Sequence, residues 1–345
     1  MGRRAVNNVR ADVDVDLVII GAGPTGLYGA YYAGVRGLRV AVVDSLPEVG
    51  GQITAMYPEK PIYDVAGFPG VLGRELVSRL TEQADRYEPI YLLGQRAQSL
   101  ERVSSADGID RFSIETSRQV RIHCRSVVIA GGIGTFTPRP LPAGEAHIDR
   151  GLSYFVRDLQ ELAGSDVVVV GGGDSACDWS LALQDIARSV VLVHRRDEFR
   201  AHAATVAALR NSTVEIITRA QVTAVSGRDR VERVEIRQGA VVQTRPAQHV
   251  VAALGFIADL GPVRSWGIDL HDNRHVIVDS RMRSNTNGIY AAGDITEYPG
   301  KVRLISVGFG EIATAVNNAA TYMDPSTPLF PGHSSDAAVD QPVLA

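Results

Sequence analysis

Cysteine and lysine are the scarce residues of this chain. Only Cys124 and Cys177 are present, far apart in sequence. That is too few for a disulfide framework and gives no zinc-ligand spacing. Such usage suits a reducing compartment, so a cytoplasmic location is expected. Of 35 basic residues only Lys60 and Lys301 are lysines, which we read as genomic composition. Long apolar runs are missing too. None approaches the ~18–20 residues needed to span a bilayer, and the polar start MGRRAVNNVRADVDV lacks a signal-peptide core and reads as a short flexible lead. No membrane association is expected. Nor is there an excess of positive charge: 35 basic against 39 acidic residues leave −4, which excludes nucleic acid as the default partner. No Ser/His/Asp set and no metal-binding spacing stands out.

What is present is ordinary globular material. The chain has 345 residues, 45% hydrophobic and 21% charged, with 34 glycines and 16 prolines. At roughly 150 residues per domain this predicts about two domains.

The first apolar run, Val15 to Ile20, suits a buried parallel strand and ends in Gly21-Ala22-Gly23-Pro24-Thr25-Gly26. A helical stretch from Leu27 to Gly34 and a strand from Arg39 to Val43 follow, ending in Asp44. The arrangement recurs later. Val167–Val170 runs into Gly171-Gly172-Gly173-Asp174-Ser175-Ala176, then a helix carrying Trp179 and Leu183, then the strand Val190–Val193 ending in His194. Asp44 stands 23 positions after Gly21, and His194 the same 23 after Gly171. Each is a βαβ unit that presents its strand-end residue at one place relative to a glycine turn. Strands ending in small residues at 127–132 and 250–255 bracket the second unit, which is read as an insertion. Residues 100–122 and 222–250 alternate as meander strands do, and the tail after Tyr322 reads as loop.

A lone GxGxxG is weak evidence, but here a strand precedes it, a helix follows, and an acid stands eighteen residues beyond its last glycine. Gly21 permits the turn, Gly23 lets a pyrophosphate approach, and Gly26 lets the helix pack closely. The helix N-terminus receives the phosphates, and Asp44 accepts from a ribose hydroxyl. In the second unit Gly171 and Gly173 are kept and Ala176 replaces the third glycine, an allowed variant. Its strand ends in His194-Arg195-Arg196, with Arg200 close behind. A carboxylate there would repel a 2′-phosphate, whereas guanidinium groups bind one bidentately. The second unit therefore favours NADPH, leaving the first for FAD.

At this point the chain resembles the thioredoxin-reductase-like ferredoxin–NADP⁺ reductases, from about residue 14 to 336. The likeness rests on Gly21–Gly26, Gly50-Gly51-Gln52, Tyr57-Pro58-Glu59-Lys60, Tyr63–Pro69, Tyr154–Val156, Gly171–Ala176 with Asp178-Trp179, His194–Ala201, Ala292-Gly293-Asp294, Gly308–Glu311, Ala315–Ala319 and Pro331–Ser335. The resemblance implies an α/β fold of two Rossmann-like, three-layer ββα domains. The FAD-binding domain would comprise residues 1–134 and 257–345, and the NADPH-binding domain, residues 135–256, would be inserted in it. Crossings near 131–136 and 253–257 imply domain rotation during turnover.

FAD contacts carry over as Gly21, Gly23, Thr25, Gly26, Asp44, Gln52, Tyr57, Ala97, Phe136, Asp294 and Ser335, with Tyr57 and His333 as stackers on the flavin ring. Ala97 would act through its backbone alone. On the residues themselves Tyr57 reads equally as a core aromatic, and His333 as a solvated tail histidine. NADPH contacts are assigned to Gly171, Gly173, Asp174, Ser175, His194, Arg195, Arg196 and Arg200. Where thioredoxin reductases carry Cys-x-x-Cys, this chain reads Tyr154-Phe155-Val156-Arg157-Asp158. No dithiol step is expected, and Cys177 reads as a small core residue. After Ser335 the tail departs from the family pattern. The resemblance implies electron exchange between NADPH and ferredoxin or flavodoxin, in a homodimer. Reduction of free flavin or a quinone, or a non-enzymatic redox sensor, are the alternatives.

Overall fold

The computed structural model describes residues 12–103 and 110–333. Six α-helices occur among them: α1 (Pro24–Val35), α2 (Gln52–Met56), α3 (Gly73–Asp85), α4 (Asp174–Leu183), α5 (Ala203–Arg210) and α6 (Ile305–Met323). The chain divides into two compact units. One comprises residues 1–54, 61–135 and 258–345, and the other residues 55–60 and 136–257.

The first unit is built on a five-stranded sheet in the order 289–291, 126–129, 17–20, 40–43, 90–92, with every pair parallel. Its strands are β-branched and buried on both faces, as parallel strands covered on two sides must be. Helix α1 packs against α3 and α6. Its small residues Gly26, Gly29, Ala30 and Ala33 are all buried, and a Cβ on Gly29 would stand 2.6 Å from the Ile312 side chain of α6. A four-stranded sheet of 12–14, 121–124, 111–116 and 97–103 and a three-stranded one of 270–271, 275–277 and 296–297 belong to the same unit.

The second unit repeats the scheme with strands 152–153, 249–253, 166–171, 189–193 and 215–217, again all parallel. Strand alternation splits its core in two. Val168, Val170, Val191, Val193 and Val250 join Val222, Val234 and Ile236 of the antiparallel sheet 220–226, 233–238, 241–246. Val167, Val169, Val190, Leu192 and Val251 instead meet Cys177, Trp179 and Leu183 of α4.

In both units the strand before the glycine turn is the middle one of five. Its neighbour is the strand whose following residue, Asp44 or His194, stands 23 positions after the turn begins. The registers match: Ile20 pairs with Val43, and Val170 with Val193. Equal spacing in sequence therefore becomes equal position in space.

One boundary differs from the expectation. Residues 55–60, expected within 1–134, group with the second unit. Tyr57 packs on the cluster containing Val156, Leu162 and Cys177, and the Lys60 ammonium bonds the Asp178 carboxylate of α4. After α6 ends at Met323, residues 324–333 form neither helix nor strand.

Candidate functional site

In the first unit the middle strand ends at Gly21, whose φ of +113° is a conformation that L side chains rarely adopt. A Cβ on Gly26 would stand 1.8 Å from the Gly21 carbonyl oxygen, so helix and strand approach too closely for any side chain. Gly23 is different. A Cβ there would meet nothing nearer than Gly51 Cα at 4.0 Å. Gly23 caps α1 in extended backbone with no side-chain cap, and Pro24 occupies the first turn. The helix start is thus left with backbone donors facing open space, which is the cradle a pyrophosphate requires.

The residues around this cradle come from distant segments. Asp44 Oδ2 accepts from Ala22 N–H at 2.6 Å and Oδ1 from Leu46 N–H at 2.8 Å. Burial pushes its carboxyl above the ordinary range, and these backbone donors oppose the shift. Gly50 N–H donates to the Ala22 carbonyl at 2.8 Å. Gln52 opens α2, and its Nε2 lies 3.2 Å from where a Gly132 Cβ would stand. The Thr25 hydroxyl faces Gly293 and Gly308, which brings the Asp294 turn to the start of α1. Gly21, Gly23, Thr25, Gly26, Asp44, Gln52 and Asp294 therefore gather in one unit, and the open cradle with its flanking carboxylates fits FAD. Ala97 is buried on the strand 97–103, so only its backbone is available.

Four further FAD contacts are expected: Tyr57, Phe136, His333 and Ser335. Tyr57 lies in the second unit. His333 is exposed, with its ring 5.1 Å from Phe330 edge-on. Phe136 lies on the strand 135–138, its side chain outside the described residues, and Ser335 lies outside them altogether.

The second unit builds a matching turn. A Cβ on Gly171 would stand 2.4 Å from the Ala253 carbonyl oxygen, whereas one on Gly173 would meet nothing within 4 Å. Ala176 is buried, and a Cβ on Gly171 would lie 2.9 Å from its methyl. The missing side chain at Gly171 thus makes room for alanine at the third position. The segment 194–202 folds over this turn: Arg200 N–H donates to Gly172 O at 2.8 Å, and Asp174 Oδ1 accepts from His202 N–H at 2.9 Å. Asp174, expected at the nucleotide, thus clasps a backbone. Ser175 is exposed at the start of α4.

His194 also has a role that the sequence did not reveal. Its ring stacks on Phe199 at 5.1 Å and fills the space over Gly172, where a Cβ would lie 2.1 Å from it. Its Nε2 lies 3.1 Å from the Glu198 carbonyl. A carbonyl only accepts, so Nε2 carries the hydrogen. Burial lowers its pKa, opposed by that carbonyl, and Arg196, Arg195 and Arg200 lower it further. Arg195, Arg196 and Arg200 are exposed, and among the described residues none is ion-paired. The nearby Asp197 is taken by Arg219 at 2.5 Å.

His194 should make stability depend on pH. The unfolded ring takes a proton near its ordinary 6.5, while the folded ring resists. The contribution is complete above 6.5 and declines as pH falls below it. Thermal unfolding at pH 7.5 and 5.5 should show the drop, and His194→Asn should show a smaller one.

Sequence reasoning did not assign the buried pair Lys301–Glu311, at 2.5 Å. Two signals were available, since Lys301 is one of two lysines and Glu311 closes the motif Gly308–Glu311. Both cysteines are free and buried. Burial pushes the Cys124 thiol up to about 12 and the Cys177 thiol up to about 11, the latter helped by Asp178 and Asp174. Among the described residues no group of three or more His, Cys, Asp or Glu could hold a metal ion, and no helix is long and apolar enough to cross a membrane.

Two glycine turns, one beside an acid and one beside arginines, define a flavoprotein oxidoreductase with two dinucleotide sites. Residues 15–319 match the family described as pyridine nucleotide-disulphide oxidoreductase. A protein from Frankia alni named ferredoxin–NADP reductase is 60% identical over 321 residues, covering 92% of this chain and 98% of its own. One of the same name from Nocardioides sp. is 58% identical over 327 residues, covering 94% and 98%. The T. acidophilum thioredoxin reductase structure aligns with a TM-score of 0.74 at 26% identity, covering 91% of this chain and 99% of that one. The chain belongs to the ferredoxin–NADP reductases of the pyridine nucleotide-disulphide oxidoreductase family, with their two-Rossmann-domain fold. It is an oxidoreductase that uses FAD and NADPH.

Proposed function

We propose that this enzyme exchanges electrons between NADP(H) and a small carrier protein, ferredoxin or flavodoxin, without a dithiol step. One observation carries the reading. Two turns in matched register end in opposite chemistry, the Asp44 carboxylate at one and the exposed Arg195, Arg196 and Arg200, not ion-paired among the described residues, at the other. The names of the relatives support ferredoxin as the acceptor.

Gly21, Gly23, Thr25 and Gly26 would cradle the FAD pyrophosphate, Asp44 would accept from its ribose, and Gln52 and Asp294 would hold the flavin side and ribityl chain. Ala97 and Phe136 would contribute contacts along the way. Tyr57, His333 and Ser335 would complete the flavin environment, the first two by stacking. Gly171, Gly173 and Ser175 would face the NADPH pyrophosphate, with Asp174 holding the covering loop. Arg195, Arg196 and Arg200 would take the 2′-phosphate, and His194 would set the loop that carries them. Bound FAD supplies a centre that takes hydride at N5 and gives electrons up singly. The protein's task is alignment, so no side chain is assigned as acid or base. The buried, unactivated thiols of Cys124 and Cys177 support a route without sulfur. A cytoplasmic homodimer is part of this proposal.

Mixing the yellow protein anaerobically with NADPH should bleach the flavin rapidly; no bleaching would point to a non-enzymatic role. Adding ferredoxin to an NADPH–cytochrome c assay should then raise the rate. A rate indifferent to ferredoxin would favour free flavin or a quinone as acceptor.

A further inference from the structure

The turn at Gly293 is held from an unexpected direction. Its N–H donates to Glu311 Oε2 at 2.7 Å, and its carbonyl accepts from Thr296 N–H at 3.0 Å and Thr296 Oγ1 at 2.8 Å. Both polar groups of Gly293 are thus committed, at a φ of +83°. Asp294 follows directly and is the carboxylate that this turn presents.

Glu311 reaches the turn from the second helical turn of α6. Its other oxygen, Oε1, accepts from the Tyr298 hydroxyl at 2.6 Å and from Lys301 Nζ at 2.5 Å. The pair is sealed: the side chains of Lys301 and Glu311 are 1% and 5% exposed, and the ammonium lies 5.5 Å from the Tyr298 ring centroid. A buried ion pair seldom adds net stability, because desolvating two charges cancels most of their attraction. The usual gain from retaining one is geometric and electrostatic definition of what lies beside it.

We propose that Lys301 and Glu311 are a positioning pair for FAD: Lys301 and Tyr298 hold one oxygen of the Glu311 carboxylate, and its other oxygen clamps the Gly293–Asp294 turn. This rests on the reading that Asp294 accepts from the ribityl chain. The charged and titratable groups whose charge acts on Asp294 are Lys301 and Arg303 from the segment before α6, Glu311 on α6, and His275 on the strand 275–277. Arg303 is already paired with Glu297 at 2.6 Å. Burial pushes the Asp294 carboxyl up, and Lys301 is the largest opposing influence. Without Lys301, protonation of Asp294 moves toward neutral pH, and FAD binding weakens as pH falls.

The test compares purified holoenzymes by equilibrium FAD release between pH 6 and 8, with thermal unfolding alongside. Lys301→Met is expected to weaken FAD binding about tenfold or more at pH 7, and further toward pH 6, while wild type stays nearly flat. The double variant Lys301→Met with Glu311→Gln leaves no uncompensated charge, so it should regain thermal stability but not wild-type FAD affinity or pH profile. A merely structural pair would regain all three. Wild-type affinity and pH profile in the double variant would overturn the proposal, even if Lys301→Met alone failed to fold. Asp294→Asn is the separate arm. Unchanged FAD retention there would refute the role of Asp294 itself, whereas weakened retention there, with wild-type behaviour in the double variant, would refute only the positioning pair.

Discussion

Gly23→Ala should yield a protein that folds normally and emerges nearly colourless, whereas Gly26→Ala should yield one that is hard to fold at all. The two positions are three residues apart in one motif, and only their surroundings separate them. A methyl at Gly26 would stand 1.8 Å from the Gly21 carbonyl oxygen. That oxygen is backbone at the end of the middle strand and cannot swing aside. Overpacking a core costs about 1–3 kcal/mol when side chains can yield, and more when they cannot. We expect about 3 kcal/mol or more for Gly26→Ala, or a fall in melting temperature of roughly 10 °C.

At Gly23 the backbone has φ −70°, ψ −179°, which alanine adopts without strain. The methyl would enter open space, with only Gly51 Cα at 4.0 Å. Folding of the FAD-stripped protein should change by about 1 kcal/mol or less, as expected for alanine at an N-cap. FAD affinity should fall about a hundredfold, or 2.7 kcal/mol, because the methyl would enter the space proposed for the pyrophosphate. Calorimetry of the stripped proteins and FAD titration separate the two effects. If Gly23→Ala retained FAD normally, the cradle would be misassigned.

The second large effect concerns the choice of nicotinamide cofactor. Replacing Arg195 and Arg196 together by alanine should cost about 2–4 kcal/mol of NADPH binding, since hydrogen bonds to charged groups contribute about 1.5–3 kcal/mol each. NADH, which has no 2′-phosphate, should bind nearly as before. The two guanidinium groups are exposed and, among the described residues, not ion-paired, so removing them leaves no buried charge stranded and the fold should persist. The measurement is kcat/KM for both cofactors. Equal losses would show that the arginines act on something other than the phosphate.

The glycine turns could be read from sequence because their causes are local. A β-branched run, glycines at fixed offsets and a strand 23 residues on together leave one topology, and the registers Ile20 with Val43 and Val170 with Val193 realise it. Asp44 and the arginines could be placed for the same reason, as strand-end residues beside a turn.

His194 could not. A histidine ending that strand gives no sign in the sequence of its packing on Phe199 and on the bare Gly172 backbone. Asp174 likewise reads as a helix-start acid, and only the fold of 194–202 gives it the His202 amide to hold. The allegiance of residues 55–60 was invisible as well, because it depends on Lys60 meeting Asp178, 118 positions later.

Order along the chain therefore determined which elements form and which residues stand at their ends, since backbone conformation and strand alternation act over a few positions. Tertiary structure decided which of those polar groups remain available to a ligand. That depends on whether some distant segment has already satisfied them, as Glu311 has for Gly293 and His202 for Asp174, and folding forces buried donors and acceptors to find such partners wherever they lie in sequence.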